Sequence, residues 1–432
     1  MAFQLSPGVN VSEIDLTTIV PSVATSIGAF AGPFAWGPVG EIVTISDEVK
    51  LVDRFGKPDS TNYEYWFSAA NFLAYSNTLK VVRAANTTST RNATSNTAVL
   101  INNKDSWEAS YSSGSSSVYG SFAARYAGAL GNSLKVSMAD ANTYATWTYS
   151  SQFTSAPATS TYVSSQGGTY DELHVIVVDE DGKFTGTQGT VLEKFAFVSK
   201  ASDSKDSSGN SNYYKNVISA QSKYVYWMDH PTANGASNWN STASGTTFAN
   251  LTSNVTVSLS GGADGTIVTA NVISAYDKFD PAESVDISLV ISGPADATVA
   301  TDLISMAETR KDCLVFLSPT KATVVNNSGS EASGCVTYRN SLTSSSYAVL
   351  DGNWKYQYDK YSDVYRWVPC NGDTAGLCAR TDQERDPWFS PGGLNRGILK
   401  NVIKLAWNPT KTERDTLYVK GINPIVSFQG EG

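Results

Sequence analysis

The run Val285–Leu317, VDISLVISGPADATVATDLISMAETRKDCLVFL, decides how the chain folds. Val285 to Ile291 is an apolar stretch of strand length. Asp296 can accept hydrogen bonds from the free N–H groups that open a helix. Val299, Leu303 and Met306-Ala307 then recur at the spacing of one helical face. Asp312 leads into a second apolar strand, Cys313 to Leu317. Strand, helix and strand in this order form a βαβ unit, whose two strands run parallel with a right-handed crossover.

Outward from this unit, Asn408-Pro409 reads as the cap and first turn of a helix reaching Lys420, followed by Ile422-Asn423-Pro424-Ile425 and a Gly-rich stop. Towards the N-terminus, residues 23–82 form a compact unit. Two β-like runs, Ala24 to Phe30 and Glu41 to Ile45, flank a Gly/Pro-rich turn. A helix is predicted from about Asn62 to Tyr75, capped by Ser60 or Thr61, with Tyr63, Phe67, Ala70 and Ala74 on one face. The strand Leu79 to Val82 follows. Composition shifts at Ala85 to Ser, Thr, Asn, Gly and Tyr. Within this region Ser133 to Val136 and the alternating Glu172 to Val178 read as strands, the latter closed by an Asp181-Gly182 turn. The fold class is therefore a multi-domain α+β or α/β protein. A discontinuous α/β core (23–84 plus 266–432) carries an inserted β-rich domain (85–265), and residues 1–22, with no helical period, form an extended N-terminal arm that lies on the body or pairs with another sheet edge.

Charged residues are 16% of the 432, below the roughly 25% of an average domain, and the net charge is −9. Neutralising a phosphate backbone needs clustered Lys and Arg, and the chain has no such cluster, so direct nucleic-acid binding is not expected. No Lys or Arg precedes Lys50, which excludes the basic start of a secretory signal. The longest apolar window, Val23 to Val39, is broken by Gly28, Gly32, Pro33, Gly37 and Pro38, so no membrane insertion is expected. Cys313, Cys335, Cys370 and Cys378 form no CxxC pair and read as reduced thiols. Of two histidines, His174 sits in an apolar strand and reads as structural. His230, in Asp229-His230-Pro231, lacks both a spaced third metal ligand and a Gly-x-Ser-x-Gly elbow. Asp179-Glu180-Asp181 reads as a solvated turn, because neighbouring carboxylates on a strand end cannot face each other across a sugar. No enzyme, metal or cofactor is expected.

Tyr347 to Arg396 mixes Trp354, Tyr356, Tyr358, Tyr361, Tyr365, Trp367 and Trp388 with Lys355, Lys360, Arg366, Arg380 and Arg396. Interleaved aromatic and basic residues can stack bases or sugars, which raises a carbohydrate-binding phage protein as one alternative. Asp351, Asp359, Asp363, Asp373 and Asp382 cancel the positive charge, so the stretch reads as a cross-braced core with Arg–Asp pairs and partly buried rings.

The order YDKYSDVYRWVP…AGLCARTD…WFSPGGLNRG (Tyr358, Asp359, Tyr361, Arg366, Trp367, Arg380, Asp382, Asn395 and Arg396 within it) resembles the tail sheath proteins of contractile-tailed bacteriophages. Leu5-Ser6-Pro7-Gly8-Val9, Trp36-Gly37-Pro38, Phe55-Gly56-Lys57-Pro58, Gly131 to Val136 and Ile422-Asn423-Pro424 agree in the same order. The resemblance implies six-fold rings of this chain stacked helically around a tail tube protein, meeting baseplate and tail terminator proteins. The sheath is expected in the virion tail, assembled in the host cytoplasm and contracting to drive the tube through the host envelope. It implies that Leu5, Val9, Val11 and Ile14 make the arm's contacts with neighbouring subunits. It also implies a further C-terminal domain beyond Ile422-Asn423-Pro424, which this chain is expected to lack. A sheath from a bacterial contractile injection device is the nearer alternative.

Overall fold

A computed structural model of the chain describes residues 26–114 and 118–428, which divide into two compact units. The first comprises residues 26–34, 40–84 and 267–428; the second comprises 35–39 and 85–266.

In the first unit the N-terminal part supplies β1 (Gly28–Gly32), β2 (Ile42–Ile45), α1 (Glu48–Phe55), α2 (Tyr63–Leu73) and β3 (Leu79–Arg83). The C-terminal part supplies α3 (Thr269–Tyr276), β4 (Leu289–Ile291), α4 (Ala297–Arg310), β5 (Leu314–Leu317), α5 (Glu331–Asn340) and β6 (Ala348–Asp351). It continues through β7 (Trp354–Asp359), β8 (Val364–Pro369), α6 (Asn371–Glu384), β9 (Lys404–Leu405), α7 (Lys411–Val419) and β10 (Ile422–Asn423). Seven strands form one sheet in the order β10-β6-β5-β4-β1-β3-β2. Every neighbouring pair is parallel except β2 with β3. A parallel sheet is covered on both faces, so its central strands β1, β4 and β5 carry no charged or polar side chain. Phe30, Leu289, Ile291 and Phe316 pack with α1, α2 and α6. Ala29, Ala31, Val290, Val315 and Leu317 pack with α3 and α4.

The βαβ unit forms β4, α4 and β5, and the Asp296 carboxylate accepts from the N–H groups of Thr298 and Val299 at 2.9 Å each. Two expected caps differ. At α2 the N-cap is Asn62 rather than Ser60 or Thr61, and no side chain caps the first turn; the Asp59 carboxylate accepts from the N–H groups of Thr61 (2.7 Å) and Asn62 (3.0 Å), just ahead of the helix. α7 starts at Thr410 instead of Asn408-Pro409, because Thr410 and Glu413 satisfy each other's backbone N–H groups in a capping box. α2 buries Trp66, Phe67, Ala69, Ala70 and Phe72 rather than one stripe, since it packs against the sheet, α6 and β8 together.

The stretch TAGLCARTD is helical, inside α6. Glycine weakens an isolated helix, but here it sets the approach to α2. A Cβ on Gly372 would lie 2.2 Å from the Ser68 carbonyl oxygen, and one on Gly376 would lie 2.5 Å from the Tyr75 ring.

The second unit contains a four-stranded antiparallel sheet in the order Thr190–Ser199, Glu172–Asp179, Leu134–Asp140, Val255–Ser258. Leu134, Val136, Met138, Leu173, Val175 and Val177 share one core, and Ala139, Ile176 and Val178 face Trp147 on the opposite side. Asp179 is not the solvated residue expected of a turn. It is fully buried and accepts from Ser133 Oγ (2.6 Å), the Thr185 N–H (2.8 Å) and the Phe184 N–H (3.0 Å). His174 is buried too: Nδ1 accepts from the Phe197 N–H at 3.0 Å and Nε2 donates to Ser155 O at 2.9 Å, which fixes a neutral ring stacked on Phe153. Burial holds its pKa below the usual histidine value.

Replacing Gly372 with Ala drives a methyl into backbone that cannot swing aside. Overpacking of this kind costs about 1–3 kcal/mol, against a gain of about 1 kcal/mol in helix propensity. Denaturant titration should show a net loss of stability for Gly372→Ala. A more stable variant would refute the close α6–α2 crossing.

Candidate functional site

The first unit concentrates its polar residues at the hairpin β7–β8 and at the carboxyl ends of the parallel strands. In the hairpin, Tyr356 pairs with Trp367, Gln357 with Arg366 and Asp359 with Val364. Side chains alternate across a strand, so Asp359 and Arg366 point one way and Tyr356, Tyr358, Tyr365 and Trp367 the other. Asp359 is fully buried and accepts from Arg366 Nε at 2.8 Å and from the Tyr361 N–H at 2.9 Å. The Arg366 guanidinium lies 4.4 Å from the Tyr63 ring. Tyr361 meets Trp66 edge-on at 5.2 Å and donates to Glu48 at 2.9 Å; burial, then this hydrogen bond, raises its pKa. Tyr358 is half exposed and donates to Asp363, while Trp367 packs on Tyr356 at 4.7 Å.

The remaining residues singled out in the sequence are dispersed. Arg380 lies over the Tyr75 ring at 5.5 Å and donates to Arg396 O; Asp382 accepts from Ser26 Oγ. Asn395 and Arg396 lie on an exposed loop, where Arg396 Nε donates to Ser390 O at 3.1 Å. Trp36, Gly37 and Pro38 are buried and belong to the second unit rather than to the flanking strands, with Trp36 edge-on to Tyr126 (5.2 Å) and Phe184 (5.1 Å). Leu5, Val9, Val11 and Ile14 lie outside the described residues.

Sequence reasoning missed a fully buried polar cluster in the first unit. β1 leads to β3 on one side and β4 to β5 on the other, so the sheet reverses direction between β1 and β4. Open α/β sheets bind ligands in the crevice beyond the strand ends at such a point. Here the chain fills the space beyond β4 itself. Asn371 Nδ2 donates to Gly293 O (2.8 Å) and Ser292 Oγ (3.2 Å), and its backbone N–H donates to Ser318 Oγ (3.0 Å). Ser318 Oγ donates to Asp351 at 2.8 Å. Beside it the Lys355 ammonium lies 2.9 Å and 2.8 Å from the two Asp373 oxygens and donates to Lys400 O at 2.9 Å. Tyr75 donates to Asp373 at 3.1 Å and accepts from the Lys400 N–H at 2.6 Å. The signal available was a charge at the end of an apolar run, as in Val349-Leu350-Asp351 and Trp354-Lys355.

Of the two buried carboxyls, Asp373 holds the ammonium, while Asp351 accepts from Ser318 Oγ and the Asn353 N–H. Burial pushes Asp351 up to about 8, reinforced by the Asp373 charge and opposed by its hydrogen bonds from Ser318 and Asn353. Burial likewise raises Asp373, against the Lys355 charge. The cluster is electrically balanced when Asp351 keeps its proton. None of Asp351, Lys355 or Asp373 reaches solvent, so what this arrangement can do is tie α6 to the sheet. Among the described residues no group of three or more His, Cys, Asp or Glu side chains could hold a metal ion, and no helix is long and apolar enough to cross a membrane.

Comparison with known proteins places this mixed α/β body. A family model described as the phage tail sheath protein central domain matches residues 265–432, and one described as the tail sheath protein Gp18 domain III N-terminal region matches residues 25–84. The tail sheath protein of Enterobacteria phage T4 is 30% identical, with 99% of this chain and 80% of that protein covered. That of Salmonella phage ViI is 28% identical, with 100% and 78% covered. A crystal structure of the sheath tail protein from Desulfitobacterium hafniense aligns with a TM-score of 0.49 at 13% identity, over 98% of this chain and 73% of that one. The chain belongs to the phage tail sheath protein family: it is a structural component of a bacteriophage tail and not an enzyme.

Two outcomes follow from the cluster. The folded-state pKa of Asp351 lies above its unfolded value of about 4. The stability of the protonated form is therefore complete below about pH 4 and declines as pH rises through about 8. Asp351→Asn should flatten that decline in urea titrations at pH 5 and pH 9; an unchanged slope would assign the pH dependence elsewhere. Lys355→Met leaves Asp373 buried without its cation, a change that costs about 3–5 kcal/mol, and thermal melts should show a correspondingly lower Tm.

Proposed function

We propose that the chain is one subunit of a contractile tail sheath. Its copies form six-fold rings stacked helically around the tail tube protein, between baseplate and tail terminator proteins, in a virion tail assembled in the host cytoplasm. Contraction drives the tube through the host envelope. The alignment with the T4 tail sheath protein over 99% of the chain carries this reading.

The physical design of the first unit supports it. Contraction requires subunits that slide and rotate as rigid bodies while links between them hold. Paired charges such as Lys355–Asp373 and Asp359–Arg366 brace the unit from within. The extended assembly is a kinetic trap, and the contracted one buries more contact.

Residues 23–84 and 266–432 act as the core domain. Residues 85–265 form an inserted, outward-facing β-rich domain. Residues 1–22 are an arm that adds a strand to a neighbouring sheet through Leu5, Val9, Val11 and Ile14. Each main-chain hydrogen bond contributes about 1 kcal/mol net, so one arm is weak and a lattice of arms is strong.

Deleting residues 1–20 should leave a folded monomer by circular dichroism and abolish co-assembly with full-length subunits in sedimentation. Loss of folding, or undiminished co-assembly, would overturn the arm reading. Electron microscopy of full-length protein mixed with tube should show sheathed tubes.

A further inference from the structure

The chain has two histidines, and both lie in the second unit with each ring nitrogen held to one role. His174 sits at a β-bulge: Leu173 pairs with Val198 and Val175 with Phe195, so Ala196 and Phe197 together oppose it. The Phe197 N–H donates to His174 Nδ1 at 3.0 Å instead of to the ladder. A backbone N–H cannot accept, and the Ser155 carbonyl, 2.9 Å from Nε2, cannot donate. Nδ1 therefore has to stay bare. A proton there would set two donors against each other among the rings of Tyr144, Phe153 and Phe197. The charged groups on the same sheet face are already engaged, Glu172 by the Ala158 N–H and Lys194 by Gln152 O.

His230 has the same polarity. The Trp227 indole can only donate, and it donates to Tyr214 Oη at 2.9 Å. The Tyr214 hydroxyl then donates to His230 Nδ1 at 2.6 Å, which leaves the ring proton on Nε2. Nε2 lies 3.3 Å from Tyr213 Oη, and Tyr213 donates to Asn240 Oδ1 at 3.1 Å. Tyr214 is fully buried, so a proton on Nδ1 would leave its hydroxyl facing a donor with no solvent to turn to. Burial pulls the His230 pKa down to about 4, against the Asp229 charge and with the help of Lys215. Lys215 lies over the Trp227 ring, and Lys200, over the Trp239 ring, is paired with Asp140.

In the first unit the buried Asp351 and Asp373 have the opposite preference, because a dry interior favours the protonated carboxyl. We propose that acid acts on the two units in opposite directions: protonating His174 and His230 opens the second unit, while the first keeps its fold. The inference goes beyond the sheath reading and does not depend on it. A histidine whose pKa folding lowers contributes stability that is complete above its unfolded value of about 6.5. That contribution is lost as pH falls from there towards the folded value. Over the same window the contribution of Asp351 to the first unit grows as pH falls.

The test follows hydrogen exchange of the full chain by mass spectrometry at pH 7 and pH 5, corrected for the intrinsic pH dependence of exchange. Protection in 171–200 and 213–240 should fall at least about tenfold, while that in 289–317 and 348–384 holds or rises. His174→Gln combined with His230→Gln keeps an acceptor and a donor without a titrating ring, and should remove the fall. Nitrogen-15 spectra of the parent at pH 7 should show Nδ1 unprotonated in both imidazoles. Unchanged protection of the second unit at pH 5, loss of both units together, an equal fall in the double variant or a protonated Nδ1 would each overturn the proposal. Where the double variant does not fold, titration of the two rings decides. Both should stay neutral until the second unit loses protection, and protonation near pH 6.5 inside a protected unit overturns the proposal.

Discussion

The close crossing of α6 on α2 is the constraint on which the first unit depends. Gly372 and Gly376 let the two helix backbones approach, and that approach carries Asp373 to Lys355 and Asn371 to the end of β4. A larger residue at either glycine would hold α6 away from Ser68 and Tyr75. The buried charges would then lose their partners, and an unpaired buried charge is far more costly than a paired one. Packing and electrostatics are therefore one device here, set by two missing side chains.

The same cluster explains why a sheet with the topology of a ligand-binding fold presents no open crevice beyond β4. The strand ends that could face a ligand are capped by Ser292, Ser318 and Asn371, which bond to one another and to Asp351. Fold does not dictate function: in this tail sheath protein the crevice beyond β4 is closed by the chain itself. The hairpin β7–β8 shows the same division. Its inner face is locked by Asp359 and Arg366, while Tyr358 and Tyr365 on its outer face stay half exposed.

Much of the fold was legible because it is local. The βαβ unit announces itself through an apolar run, a capping Asp296 and a helical period, and each depends on residues a few positions apart. Boundaries were less legible. The N-caps, Asn62 and Thr410, were displaced from the expected residues because Ser, Thr, Asn and Asp compete for one role within a few positions of each other. Asp179 was misread for a related reason. An acidic residue next to a turn is usually solvated, and only the hydroxyl of Ser133 and the N–H groups folding back from Phe184 and Thr185 make its burial tolerable.

The sequence by itself determined the strand–helix–strand core, the family and the lack of a catalytic pattern, since periodicity, capping and motif order are written along the chain. Only the tertiary structure decided which charges are buried and with whom. Lys355 finds Asp373, Tyr75 finds Lys400 and Asn71 finds Gln357. Those partners are brought together by helix crossing and sheet order, and no local pattern encodes a contact that spans nearly three hundred residues or more, as the last two do.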